Sequence, residues 1–199
     1  MRKTEDWNHW IEKAMLIIGV TLLLSGIIFF FAYNWSEMSK FEKFILVQAG
    51  IIGTFAMAAI KGNKVASGQA YLFSASILTG VLLAIFGQTY QTGADAYTLF
   101  LAWSALILGW LITGKNPAIW CLWIILLNIT FVTWYEQVIG SSSPNAESIS
   151  TILFLLINII SLSIREYLIK KNHNWLENKA TRWLSVILLV VPLHGFFWK

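Results

Sequence analysis

Charged side chains are scarce in this sequence, and their scarcity argues against a soluble globular domain. Asp, Glu, Lys and Arg make up 12% of the 199 residues, whereas hydrophobic residues make up 57%. Soluble domains contain about 25% charged residues. Low charge combined with long apolar runs is typical of an integral membrane protein. The net charge of +4 is small and its basic residues lie in short loops, so we expect no nucleic-acid partner.

Cysteine is nearly absent, and the motifs of common catalytic and metal sites are missing. The single cysteine, Cys121, lies within an apolar run and cannot form an intrachain disulfide. The sequence has no Gly-x-Ser-x-Gly, no His-Glu-x-x-His and no glycine-rich phosphate loop. No Asp, Glu, Lys or Arg falls in the middle of an apolar run, which argues against a transporter coupled to ions through a carboxylate. We therefore expect no cofactor and no metal, and the sequence favours a protein that is not an enzyme.

Seven apolar runs predict an all-α fold, a polytopic transmembrane bundle of about seven spans. A helix of about 20 residues crosses the hydrocarbon core of a bilayer. Residues 1–13 combine charge with Trp7 and Trp10, which predicts an interfacial segment before a single transmembrane domain, 14–199. The predicted spans are 14–33, 44–60, 66–86, 96–112, 117–135, 149–168 and 183–198, the last containing Pro192.

Small and amide side chains within the spans predict how the helices pack. The third run is rich in Gly, Ala and Ser, which let helix backbones approach closely in lipid. We therefore expect the third span to be the most enclosed, with Ser67, Ala70 and Ser74 against its neighbours. Amides also lie within spans two, three, five and six, where interhelical hydrogen bonds are expected rather than a ligand cavity. These are Gln48, Gln69, Asn128 and Asn158.

The Lys and Arg residues are divided unequally between alternate loops. With the N-terminus inside, 11 of the 14 lie in cytoplasmic segments and three on the opposite side. Because cytoplasmic loops carry an excess of Lys and Arg, this distribution predicts a cytoplasmic N-terminus. The loops 87–95 and 136–147 then lie outside.

Residues 87–97 are polar, contain no Lys or Arg, and lie between two spans on the predicted outer side. Their amide, phenol and carboxylate groups can hydrogen-bond a sugar, a peptide or a lipid headgroup. The alternative is a structural turn, in which glycines adopt positive φ, the acid caps the next helix and the tyrosines anchor it at the interface. The candidate binding residues are Gln88, Tyr90, Gln91, Asp95 and Tyr97, together with Asn34 at the end of span one.

Two local patterns are notable. Ala32-Tyr33-Asn34-Trp35 ends the first span, and Gly87-Gln88-Thr89-Tyr90-Gln91 is followed by Ala94, Tyr97, Leu99-Phe100 and Trp103. Together they resemble a family of predicted bacterial membrane proteins, the domain of unknown function 2157. The resemblance covers roughly the first 135 residues, to the end of the fifth predicted span. It implies a multi-span inner-membrane protein of a bacterium and supplies no catalytic residues.

The sequence thus predicts a bacterial inner-membrane protein that binds a protein partner or a lipid through its outer, periplasmic face. Membrane lipid is the expected partner, and a protein partner or a homo-oligomer is the further expectation. Two alternatives stay open. One is a small-solute transporter or permease component. The other is an enzyme at the outer leaflet, with Asp95 or another outer acid as the general base.

The predicted orientation determines which loops an impermeant thiol reagent can reach. In a Cys121→Ser background, each introduced cysteine is the only one in the chain. Reagent added to intact cells should label Ser142→Cys and should not label Asn172→Cys, because the first lies in an outer loop and the second in the most basic inner loop. The opposite labelling pattern would reverse the orientation.

Overall fold

The described part of the chain is entirely helical. The computed structural model describes residues 2–33, 37–91, 93–139 and 146–197. A π-helical turn, Tyr135–Ile139, extends α5, and a 3-10 turn, Asn174–Leu176, lies between α6 and α7. The α-helices are α1 (Arg2–Tyr33), α2 (Lys40–Lys61), α3 (Ala66–Tyr90), α4 (Ala96–Gly114), α5 (Pro117–Trp134), α6 (Ala146–Lys170) and α7 (Lys179–Phe197).

Six of these helices are long and apolar enough to cross a membrane, which confirms the predicted all-α transmembrane fold. The helix α7 forms where the seventh span is predicted, but over the described residues it is not among the six. The helix α1 runs without a break through the segment predicted to be interfacial. The candidate spans are Trp10–Phe30, Lys40–Lys61, Ala66–Tyr90, Ala96–Gly114, Pro117–Ile139 and Ile149–Lys170.

The chain forms two compact units, Met1–Tyr90 and Gln91–Lys199, called unit 1 and unit 2 below. In unit 1, α2 and α3 pack along each other, and α1 packs against α3. In unit 2, α4 packs on α5, while α6 and α7 pack against each other and both contact α5. Each unit therefore has helix-to-helix packing of its own.

The helix α3 is the most enclosed of the six candidate spans. In its most apolar window 44% of the residues are buried, against 6–28% in the other five. This confirms the prediction from its small residues, although the fully buried face contains Ala75 and Ser76 rather than Ser67 and Ala70. The hydroxyls of Ser76 and Thr79 donate to carbonyls four residues earlier, each at 3.0 Å. Such bonds give these hydroxyls the hydrogen-bond partners that the hydrocarbon core of a bilayer cannot supply.

An amide pair joins α5 to α6. Asn128 and Asn158 are both buried, and each donates its side-chain N–H to the other's oxygen, at 3.2 and 2.7 Å. Each amide also donates to the carbonyl four residues earlier in its own helix. The expected interhelical amide bond is therefore present at this pair. Gln69, by contrast, donates to the Asn63 carbonyl in the preceding turn.

Two glycines shape the connection between α2 and α3. Gly62 has φ +78°, in the left-handed region that side chains rarely adopt. A Cβ placed on Gly68 would lie 2.1 Å from the Gly62 carbonyl oxygen. The first turn of α3 therefore passes so close to the backbone of the turn that only glycine fits at position 68.

Gly68→Ala should destabilise unit 1, because the clash is with backbone and no side chain can move aside. Overpacking of this kind costs about 1–3 kcal/mol. The melting temperature in detergent would measure it. Gly53→Ala is the matched control in α2, since no atom lies within 4 Å of its added Cβ and Ala favours a helix. If Gly68→Ala melts at the wild-type temperature, the close approach at Gly62 does not exist.

Candidate functional site

The predicted outer turn, residues 87–97, comprises the end of α3, the connection that follows it and the start of α4. The helix α3 continues to Tyr90 rather than ending at Phe86, so Gln88 and Tyr90 lie on its last turn. It ends where Gln91 adopts φ +44°, and Gly93 follows at φ +59°. Tyr97 already belongs to α4, which begins at Ala96. The prediction of a positive-φ glycine is therefore correct for Gly93, whereas the span boundary was placed too early.

Tyr90 lies in an aromatic cluster at one end of unit 1. Its ring centroid is 4.8 Å from that of Phe86 and 6.0 Å from that of Phe44. The Lys40 Nζ atom lies 5.7 Å from the Tyr90 centroid. Tyr90 is 56% exposed and Phe86 is 49% exposed. Exposed aromatic rings beside a lysine are typical of the membrane–water interface, which favours an anchoring role for Tyr90.

Asp95 occupies the N-cap position of α4, but its carboxylate makes no capping hydrogen bond. The first turn is instead tied by Thr98, whose N–H and hydroxyl both donate to the Asp95 carbonyl oxygen, at 3.0 and 2.6 Å. Asp95 is therefore the N-cap residue, as expected, but its side chain does not form the expected capping hydrogen bond. The Asp95 side chain is exposed.

The sequence-predicted residues fall into two groups. Gln88 and Tyr90 belong to unit 1, whereas Gln91, Asp95 and Tyr97 belong to unit 2. Four of them are exposed and Tyr97 is half-buried. Asn34 lies outside the described residues. The binding hypothesis for this stretch stays a prediction.

The sequence did not reveal a cleft of about 330 Å³ between the end of α5 and the start of α6. Phe131 forms its centre, with its ring centroid 6.3 Å from those of Tyr135 and Phe154. Glu136 lies at the exposed rim. The remaining lining residues are Val132, Ser150 and Thr151. The cleft thus combines aromatic faces, hydroxyl groups and one carboxylate.

The π-helical turn Tyr135–Ile139 contributes Tyr135 and Glu136 to this cleft. Such turns are rare and frequently occur at functional sites. The Tyr135 hydroxyl is buried and has no hydrogen-bond partner among the described residues. Buried polar groups are normally paired, so this hydroxyl is an exception among the described residues beside the cleft. The cluster of aromatic residues before Glu136 was the only feature of the sequence that pointed to the cleft. Such a cluster is equally typical of an aromatic belt at the membrane interface.

The described helices and the cleft at their ends define the class of the molecule, a polytopic helical membrane protein. No three His, Cys, Asp or Glu side chains in the described ranges lie close enough to hold a metal ion. Residues 3–120 match a family described as predicted membrane protein, DUF2157. Because this match covers more than half of the chain, the protein belongs to that family. No curated protein and no solved structure matches the chain significantly. The α5–α6 cleft lies beyond the matched residues.

The two N-caps of α2 and α4 give a test of the outer turn. At α2, the Ser39 hydroxyl accepts from the Glu42 N–H at 3.3 Å, and the Ser39 N–H donates to the Glu42 carboxylate at 2.7 Å. Ser39→Ala should therefore lower stability by about 0.5–2 kcal/mol. Asp95→Ala should change the melting temperature less, because no side-chain cap is lost. An equal loss in both variants would show that the Asp95 carboxylate does cap α4.

Proposed function

We propose that this protein is a lipid-binding protein of the bacterial inner membrane that holds the amine-bearing headgroup of a phospholipid in the α5–α6 cleft, at the outer face. The observation that carries the proposal is the composition of that cleft, which combines three aromatic rings, one carboxylate and a buried hydroxyl without a partner among the described residues. No catalytic step is part of the proposal.

The chemistry of the cleft fits a primary amine. The faces of aromatic rings attract a cation, by about 0.5–2 kcal/mol each depending on desolvation. The rings of Phe131, Tyr135 and Phe154 supply such faces. Glu136 supplies the negative charge that pairs with the amine. The Tyr135 hydroxyl can donate to a phosphate oxygen of the same headgroup.

The position of the cleft also favours a headgroup. It lies where the candidate span Pro117–Ile139 ends and Ile149–Lys170 begins, and the ends of spans of this length are expected in the interfacial layer. The Lys and Arg distribution assigns this end to the outer side. A volume of about 330 Å³ lies in the range of small-ligand sites and is small for a protein partner. The family resemblance supports a bacterial inner membrane.

Lipid retention by the purified full-length protein tests this proposal. Protein in a mild detergent is mixed with phosphatidylethanolamine or phosphatidylglycerol, and bound lipid is counted by native mass spectrometry. We expect phosphatidylethanolamine to be retained. Glu136→Gln should weaken its binding by about tenfold or more, since a hydrogen bond to a charged group contributes about 1.5–3 kcal/mol. Phe131→Ala should weaken it as well.

Asp95→Asn is the matched control, because it removes another exposed acid on the same predicted face without touching the cleft. It should leave phosphatidylethanolamine binding unchanged. If Gln88→Ala with Tyr90→Phe abolishes binding while Glu136→Gln does not, the site is the outer turn. Equal retention by the wild type and Glu136→Gln overturns the proposal.

A further inference from the structure

A second cavity in unit 2, of about 370 Å³, lies beside the turn between α6 and α7, at the other end of α6 from the α5–α6 cleft. Its lining is strongly charged rather than aromatic. Three cations and two carboxylates contribute to it, namely Arg165, Lys179, Arg182, Glu166 and Glu177. A cavity with this lining requires a ligand different from that of the cleft.

Arg165 lines the buried base of this cavity and is held by several hydrogen bonds. Its side chain is only 4% exposed. Its Nε donates to the Thr181 hydroxyl at 3.0 Å, and its Nη2 donates to the Leu176 carbonyl at 2.9 Å and the Asn178 carbonyl at 3.5 Å. Its Nη1 pairs with the carboxylate of Glu166. A guanidinium has five N–H donors, so one N–H on Nη1 has no partner among the described residues.

The remaining charges give the cavity a positive excess. Glu166 is neutralised by Arg165. Lys179 and Arg182 are both exposed and lie in the first turn of α7, whose N-terminus adds a partial positive charge. Glu177 is the other acid, and the described residues give it no side-chain partner. Two cations thus face one carboxylate, with the buried guanidinium beneath them.

Aromatic side chains place the cavity at the level of lipid headgroups. Tyr167 is 56% exposed, and the Lys171 Nζ atom lies 4.8 Å from its ring centroid. Trp183, at the start of α7, is 63% exposed. Exposed Tyr and Trp rings accompanied by Lys mark the membrane interface, and basic clusters there attract anionic lipids.

We infer that this cavity binds a phosphate group, held by Lys179 and Arg182 at its rim and by Arg165 at its base. The two sources with this chemistry are the headgroup of an anionic phospholipid and free inorganic phosphate. The site lies beyond residues 3–120 and carries the opposite charge to the cleft, so it does not depend on the amine site proposed above.

The test uses full-length protein in mild detergent, with phosphatidylglycerol and inorganic phosphate as probes. Native mass spectrometry counts retained phosphatidylglycerol, and the melting temperature reports phosphate binding. The double variant Lys179→Gln, Arg182→Gln should lose about tenfold or more in binding of the probe that occupies the site. Retention of phosphatidylglycerol that added phosphate does not displace identifies a lipid. Stabilisation by phosphate alone identifies the free ion.

The matched control is Lys61→Gln, Lys64→Gln, which removes two exposed cations from another turn on the same predicted face. It should bind both probes as the wild type does. Glu177→Gln removes the rim acid and should strengthen binding, which also tests the site if the double variant fails to fold. Equal losses in the two double variants indicate general attraction to charge and overturn the inference, as does a wild type that binds neither probe. Phosphatidylethanolamine retention should be unaffected by all three variants.

Discussion

The hydrocarbon core of a bilayer offers no hydrogen-bond partners, and this one constraint explains most of the polar contacts within the spans. Buried or half-buried hydroxyls in α3, α5 and α6 donate to carbonyls in their own helices. Asn128 and Asn158 satisfy each other across α5 and α6. Interhelical bonds of this kind contribute about 0.6–1.7 kcal/mol each, so their importance is in choosing the packing partner. The two cavities with polar linings described above lie at helix ends.

The helix ends are where the chain meets water and headgroups, and the two ends of α6 differ in chemistry. At its start, aromatic rings and Glu136 line a cleft suited to a cation. At its end, Arg165 ties the following turn to the helix and contributes to a cavity with a positive excess. The partners of the buried Arg165 guanidinium lie in that turn, and removing a partner from a buried charge is costly. Arg165 therefore stabilises the conformation of the turn. One helix thus connects two sites proposed to bind opposite charges.

Local properties were predictable from the sequence, and long-range ones were not. The apolar runs predicted the helices, and the small residues predicted that α3 is enclosed. The end of α3 was placed at Phe86 because Gly87 and Gln88 resemble a turn, whereas helical backbone bonds continue to Tyr90. The predicted carboxylate cap at Asp95 is absent because the Thr98 side chain and N–H tie the turn instead. A cap depends on a rotamer, which residue type does not determine.

The sequence by itself determined that this is a helical membrane protein and which segments are long and apolar enough to cross a membrane, because the bilayer imposes one length and one polarity on every span. Only the tertiary structure decided which helix ends form cavities. Phe131 and Phe154 come together because α5 packs on α6, and Arg165 reaches Thr181 because α7 folds back against α6. The Lys and Arg residues around that turn served in the sequence only as topology signals. The cavity that they line arises from the way the helices pack. In lipid, helices with similar apolar surfaces have no hydrophobic preference for one partner over another, so the sequence does not specify that packing.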